Sequence, residues 1–169
     1  AYELFMNGKR VGEDWFAPGN SQYREVLGYY AYDVTELLAD GDNCIAARLN
    51  PGWYTGYMTF TMPNYNFFGD YEALLARLVI SYEDGSRQVV VTDKDTWKMY
   101  KDGPVRSGSF FHGERYDANR EPAVEGWNTV SYDDSAWMQP DIIRKRDWIH
   151  FDIKARYDEP VRVREVLTA

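Results

Sequence analysis

An all-β sandwich of antiparallel strands is the fold class this sequence predicts, and three observations predict it. Short apolar stretches rich in β-branched and aromatic residues recur along the chain, each bounded by a turn signal such as Asn7-Gly8, Pro18-Gly19 or Asp84-Gly85. Aromatic residues make up 17% of the 169 positions, a share that suits pleated sheets better than a helical bundle. No segment keeps the 3.6-residue apolar period long enough to form an amphipathic helix. At this length the simplest organisation is one domain over residues 1–169, burying roughly two-thirds of its unfolded surface.

Taken in order, Tyr2 to Met6 and Lys9 to Val11 flank Asn7-Gly8, the dipeptide that most favours a two-residue type I′ hairpin turn. Gly12 to Asn20 reads as a loop. Tyr23 to Tyr32 reads as a strand with a bulge at Gly28. Asp33 is the natural cap of a short helical turn at Val34 to Leu38, and Gly41 its stop. Cys44 to Leu49 has strand length, and Asn50 to Tyr71 is irregular. In Glu72 to Tyr82 the alternation of Leu74, Ala76, Leu78, Ile80 and Tyr82 against their neighbours fits a strand. Asp84-Gly85 then turns the chain into Arg87 to Thr92, whose three valines are stiff at χ1. Short strands are expected at Trp97, at Ile149 to Arg156 and at Val161 to Val166, with Pro160 at a strand start. There is no internal repeat and no low-complexity linker.

Charge and composition narrow the partners. A net charge of -8 argues against a nucleic-acid backbone or an anionic membrane surface. No apolar run approaches the ~18 residues needed to span a bilayer, which argues against membrane insertion. The chain opens in mid-pattern without an initiator methionine or a signal peptide, the expectation for a piece of a longer polypeptide. The single cysteine, Cys44, lies in an apolar run and reads as a small buried hydrophobe. Two histidines and one cysteine far apart do not suggest a zinc or thiol centre.

Gly113 to Trp137 concentrates tryptophans, tyrosines and carboxylates in a segment with neither helix nor strand period. It reads as a long ordered loop, the kind of element that carries function. Within it Asp133-Asp134-Ser135 looks like a capped turn that aims Trp137 inward. Aromatic faces and carboxylates together suit a sugar, whose apolar faces stack and whose hydroxyls share hydrogen bonds. The candidate stacking faces are Trp53, Tyr54, Tyr116 and Trp127; the candidate hydroxyl partners are Glu114, Asp117 and Asn119. The same acids supply oxygens suited to a hard cation such as calcium. The opposing reading places Trp53 and Trp127, each preceded by glycine, in the core.

Several motifs resemble a known family. Asn7-Gly8-Lys9-Arg10-Val11-Gly12, Tyr32-Asp33-Val34-Thr35-Glu36-Leu37-Leu38 and Gly41-Asp42-Asn43 are similar to the galactose-binding-like jelly roll of glycoside hydrolases. Gly52-Trp53-Tyr54-Thr55-Gly56, Gly113-Glu114-Arg115-Tyr116-Asp117-Ala118, Gly126-Trp127 and Asp133-Asp134-Ser135-Ala136-Trp137 follow in the order seen in the N-terminal β-sandwich domain of bacterial α-L-rhamnosidases. This chain departs from the family pattern at Asn20, at Asn50-Pro51 and at Asn119. The resemblance implies a domain that catalyses nothing by itself, with hydrolysis in a separate (α/α) barrel of the same polypeptide. It implies carbohydrate and the neighbouring domains as partners, and a bacterial periplasmic or secreted protein rather than a cytoplasmic one. Calcium-assisted L-rhamnose binding and pure structural support both occur in the family, and metal-ligand positions do not transfer. Autonomous catalysis by Glu114 with Asp117, Asp133 or Asp134 is the third reading, weakened because turn capping accounts for the last two acids.

Overall fold

The structure, a computed structural model, describes residues 1–61, 64–143, 150–156 and 158–167. Nine strands dominate it: β1 (Tyr2–Met6), β2 (Lys9–Val11), β3 (Val26–Tyr29), β4 (Ile45–Leu49), β5 (Arg77–Ser81), β6 (Arg87–Val91), β7 (Val105–Ser109), β8 (Gly113–Tyr116) and β9 (Asp152–Ala155). They form a three-stranded sheet in the order β2-β1-β4 and three pairs, β3-β9, β5-β6 and β7-β8. All are antiparallel except β3 with β9. Helical turns of 3₁₀ type lie at Thr35–Leu37 and Ala118–Val124. The all-β, antiparallel expectation is therefore met.

The β2-β1-β4 sheet carries the most deeply buried apolar side chain. Met6 is fully enclosed, pairing with Lys9 on one side and Ile45 on the other. The turn beyond it is the one expected, with Asn7 and Gly8 both at positive φ (51° and 82°), as a type I′ turn requires. Asn7 does more than turn the chain. Its Oδ1 accepts from the Cys44 N–H at 2.8 Å, and its Nδ2 donates to the Leu37 carbonyl at 3.0 Å and to Asn43 Oδ1 at 2.7 Å. Its backbone N–H donates to the Cys44 carbonyl at 2.9 Å, and that of Gly8 to the Asn128 carbonyl at 2.8 Å. Asn43 in turn closes the loop after Leu37, accepting from the Ala39 N–H and donating to the Ala39 and Gly41 carbonyls. The Asn7 amide thus fixes the start of β4 and the end of the 3₁₀ turn, and the Gly8 N–H ties the turn to the residue after Trp127.

Several expected elements are shorter, absent or different. β3 covers only Val26–Tyr29, and Gly28 is no bulge: it pairs in regular register with Lys154. The glycine is needed because a Cβ there would lie 2.6 Å from Arg156 Cγ. Leu74 and Leu75 lie outside β5, since the partner strand β6 ends at Val91. Trp97 is in no strand; its Nε1 donates to the Val91 carbonyl at 3.0 Å, and the nearby pairing is the single Met99–Met138 bridge. Val161 to Val166 forms no strand beyond a Trp15–Val161 bridge, so Pro160 starts none, for want of a partner edge. Ile149, the start of the strand expected to run to Arg156, lies outside the described residues, and β9 covers Asp152–Ala155 of that strand. β7 was not legible because VRSGS has one apolar residue, and its pairing with β8 is what makes it a strand. Cys44 is half-buried, and burial pushes its thiol pKa up.

Asn7→Ala should cost about 3 kcal/mol, from three lost side-chain hydrogen bonds of about 1 kcal/mol each. Denaturant titration checks this, and Asn7→Gly, which relieves the backbone but not the bonds, should recover little. Gly28→Ala should cost about 1–3 kcal/mol by displacing Arg156. Gly108→Ala in β7, whose added methyl meets nothing within 4 Å, should leave the thermal midpoint unchanged.

Candidate functional site

The segment 113–137 is less irregular than its sequence implies. Gly113–Tyr116 is strand β8, which reverses from β7 with a bulge between Val105 and Ser107, and Ala118–Val124 is a 3₁₀ helix. Asp117 caps that helix: its Oδ1 accepts from the Asn119 N–H at 3.2 Å and from Asn119 Nδ2 at 2.9 Å. Asp117 Oδ2 accepts from Arg120 Nε at 3.2 Å. Arg120 also pairs with Asp102, which Arg106 meets at 3.0 Å, so two guanidinium groups and two carboxylates alternate beneath the β7–β8 hairpin. Hydrogen bonding by Asn119 and its N–H, with the Arg120 charge, holds the Asp117 carboxyl below the usual carboxylate range. Hydrogen bonding by Arg120 does the same for Asp102.

Above this network lies a shallow groove of about 420 Å³, with Arg48, Pro104, Tyr116, Glu121, Glu125 and Trp127 among its lining residues. Tyr116 is 48% exposed, but its hydroxyl is engaged, donating to Glu121 Oε1 at 2.6 Å. That hydrogen bond raises the phenol pKa. Trp127 is half-buried, meeting Phe5 edge-on at 5.4 Å, with the Arg48 guanidinium over its ring at 6.0 Å.

The seven sequence candidates do not converge. Tyr116 and Trp127 line the groove, whereas Asp117 caps the 3₁₀ helix and Asn119, inside that helix, donates to it. Glu114 is exposed on β8, opposite Gly108. Trp53 lies at another end, stacked on Phe110 at 4.7 Å and edge-on to Phe111 at 6.1 Å. Tyr54 belongs to a separate aromatic group, edge-on to Tyr23 at 5.2 Å and donating to the Tyr71 hydroxyl at 3.1 Å. A Cβ on Gly69 would fall within 2.6 Å of the Tyr54 ring, so that ring lies on backbone. Burial in this group pushes the Tyr23 phenol up to about 12. Trp53 and Tyr54 thus spend their faces on other aromatic rings and backbone.

Among the described residues no three His, Cys, Asp or Glu side chains stand together, and the Asp117 carboxylate is already committed to Asn119 and Arg120. The groove residues that sequence reasoning missed are Arg48, Pro104, Glu121 and Glu125. Arg48 offered no signal, since an exposed arginine on an alternating strand is ordinary. Glu121 was findable only with the 3₁₀ helix in hand, because that helix returns it to Tyr116.

An all-β domain with acid-capped turns and a shallow aromatic groove is the class of protein so far defined. The family described as the α-L-rhamnosidase N-terminal domain matches residues 1–165. The chain belongs to that family. It is 38% identical over 169 residues to an α-L-rhamnosidase of Streptomyces avermitilis, covering 99% of this chain and 16% of that protein. A Formosa agariphila α-L-rhamnosidase is 33% identical over 138 residues, covering 80% and 14%. The crystal structure of the Streptomyces avermitilis enzyme complexed with L-rhamnose matches with a TM-score of 0.85 at 38% identity, over 97% of this chain and 15% of that one. The native Aspergillus terreus enzyme matches at 0.85 and 32% identity, over 95% and 18%. The chain therefore spans about one-sixth of the length of these relatives.

Acid should unfold this domain early. Asp33, Asp84, Asp93, Asp102, Asp117, Asp133 and Asp158 all have folded pKa values below the ordinary 3.8, through hydrogen bonds to turn N–H and hydroxyl groups or to arginine. Each contributes stability that is present above its unfolded pKa and lost as pH falls through the folded one. The thermal midpoint should hold down to about pH 5 and then drop between about pH 4 and 2. Replacing Asp102 and Asp117 together with Asn should shrink that drop.

Proposed function

We propose that residues 1–169 form a non-catalytic docking domain of a longer α-L-rhamnosidase, holding neighbouring domains in place around a separate catalytic barrel. Its surface is the observation that carries this reading. The chain exposes 12754 Å², whereas a compact monomer of 19.7 kDa exposes about 8,600 Å². Among the described residues Met6, Val11 and Ala17 are the buried apolar ones, while Phe16, Phe60, Leu75 and Phe67 are each more than half exposed. Large apolar side chains left open in this way suit surfaces that another domain covers. The relatives supply what covers it, being about six times as long.

A second reading has its own support. The groove brings two aromatic faces, Tyr116 and Trp127, beside Arg48, Glu121 and Glu125, a mixture suited to stacking on a sugar and sharing its hydroxyl hydrogen bonds. The Streptomyces avermitilis relative crystallised complexed with L-rhamnose. On this reading the domain presents rhamnose-containing carbohydrate to the catalytic domain.

Calorimetric titration with L-rhamnose, once with calcium and once with a chelator, separates the two. The docking reading expects no saturable heat in either buffer up to millimolar sugar. Saturable heat that Trp127→Ala or Tyr116→Ala removes would instead establish the groove as a sugar site. The docking reading also expects the thermal midpoint of the isolated domain to lie several degrees below that of the same domain in the full-length polypeptide.

A further inference from the structure

The β5–β6 hairpin is the least supported part of the fold. Among the described residues its strands pair only with each other, in the register Arg77–Val91, Val79–Val89 and Ser81–Arg87. Among the described residues neither outer edge pairs with another strand, Trp97 Nε1 meeting the β6 edge only at the Val91 carbonyl, and a two-stranded ribbon is marginal by itself. Directly paired residues share a face, so Val79, Val89 and Val91 lie together, flanked by Arg77 and Arg87. These valines are 45%, 48% and 46% exposed, and Leu75, just before β5, is 75% exposed. The opposite face, with Leu78, Ile80 and Val90, is the half-buried one. A solvated strand face normally carries polar residues, and open edges are normally blunted by proline or inward charge; this hairpin does neither.

We infer that the Val79–Val89–Val91 face of this hairpin docks a neighbouring domain of the same polypeptide, whose contact surface is apolar at its centre and carries carboxylates opposite Arg77 and Arg87. This rests on the docking reading and assigns it a surface. Three features favour that occupant. The relatives contain some five-sixths of their length outside the matched region. The net charge of -8 opposes association with a second copy of this chain. The cationic rim around three valines matches an acidic-rimmed apolar partner, the arrangement that fixes register at an interface.

Hydrogen exchange on the full-length polypeptide and on the 169-residue chain tests this. Amides of 77–81 and 87–91 are expected to exchange about tenfold more slowly in the full-length protein. Val79→Lys with Val89→Lys should remove that difference while leaving exchange in the 169-residue chain unchanged, because the face is already open there. Arg87→Glu, a surface change that does not threaten folding, should reduce the protection. Equal exchange in the two proteins overturns the inference. So does protection that rises with concentration in the isolated chain, which would assign the face to a second copy. Protection of Phe60 and Phe111 without protection of the hairpin would overturn this surface and leave the docking reading standing.

Discussion

Asn7 is the polar knot on which the rest of the structure depends. A type I′ turn needs two residues at positive φ, and asparagine is among the few side chains that tolerate it. Here the amide also accepts from Cys44 and donates to Leu37 and Asn43, residues 30 to 37 positions away in the chain. Entry to β4, the 3₁₀ turn and, through Gly8, the loop before Thr129 are referred to one point. With Met6 buried directly beneath, the turn joins the three-stranded sheet to its covering loops.

Away from that knot the domain is held by local devices rather than by a deep core. Aspartates accept from N–H groups two or three residues on at Asp33, Asp84, Asp93, Asp117 and Asp133. Aromatic rings contact one another in small clusters, such as Trp53 with Phe110 and Tyr100 with Trp137. Such contacts order loops without enclosing much apolar area, which is why the surface stays so large. The relatives it matches are about six times as long.

The candidate site divides along the same line. Trp127 spends its edge on Phe5, and Tyr116 spends its hydroxyl on Glu121, leaving one shallow groove between them. Of the acids weighed as catalytic from the sequence, Asp117 and Asp133 cap turns and Asp134 pairs with Lys98, while Glu114 is exposed on β8. Asp117 and Asp102 are held charged by arginine and asparagine, the reverse of the raised pKa that a general acid needs.

The sequence by itself determined the all-β class, the Asn7-Gly8 and Asp84-Gly85 hairpins and the family resemblance; the short turn after Asp33 is there, but Val34 is its N-cap and Leu38 its C-cap, with Asp33 accepting from Thr35. These depend on local backbone preference and on the period of apolar residues, which neighbours in sequence encode. Only the tertiary structure decided that VRSGS is a strand, that Gly28 is kept open for Arg156, and that Val161 to Val166 is not a strand. Each of those depends on which segment lies alongside, a long-range fact that no local pattern carries. The same holds for the groove, since the 3₁₀ helix that returns Glu121 to Tyr116 and the β4 register that places Arg48 over Trp127 are set by packing.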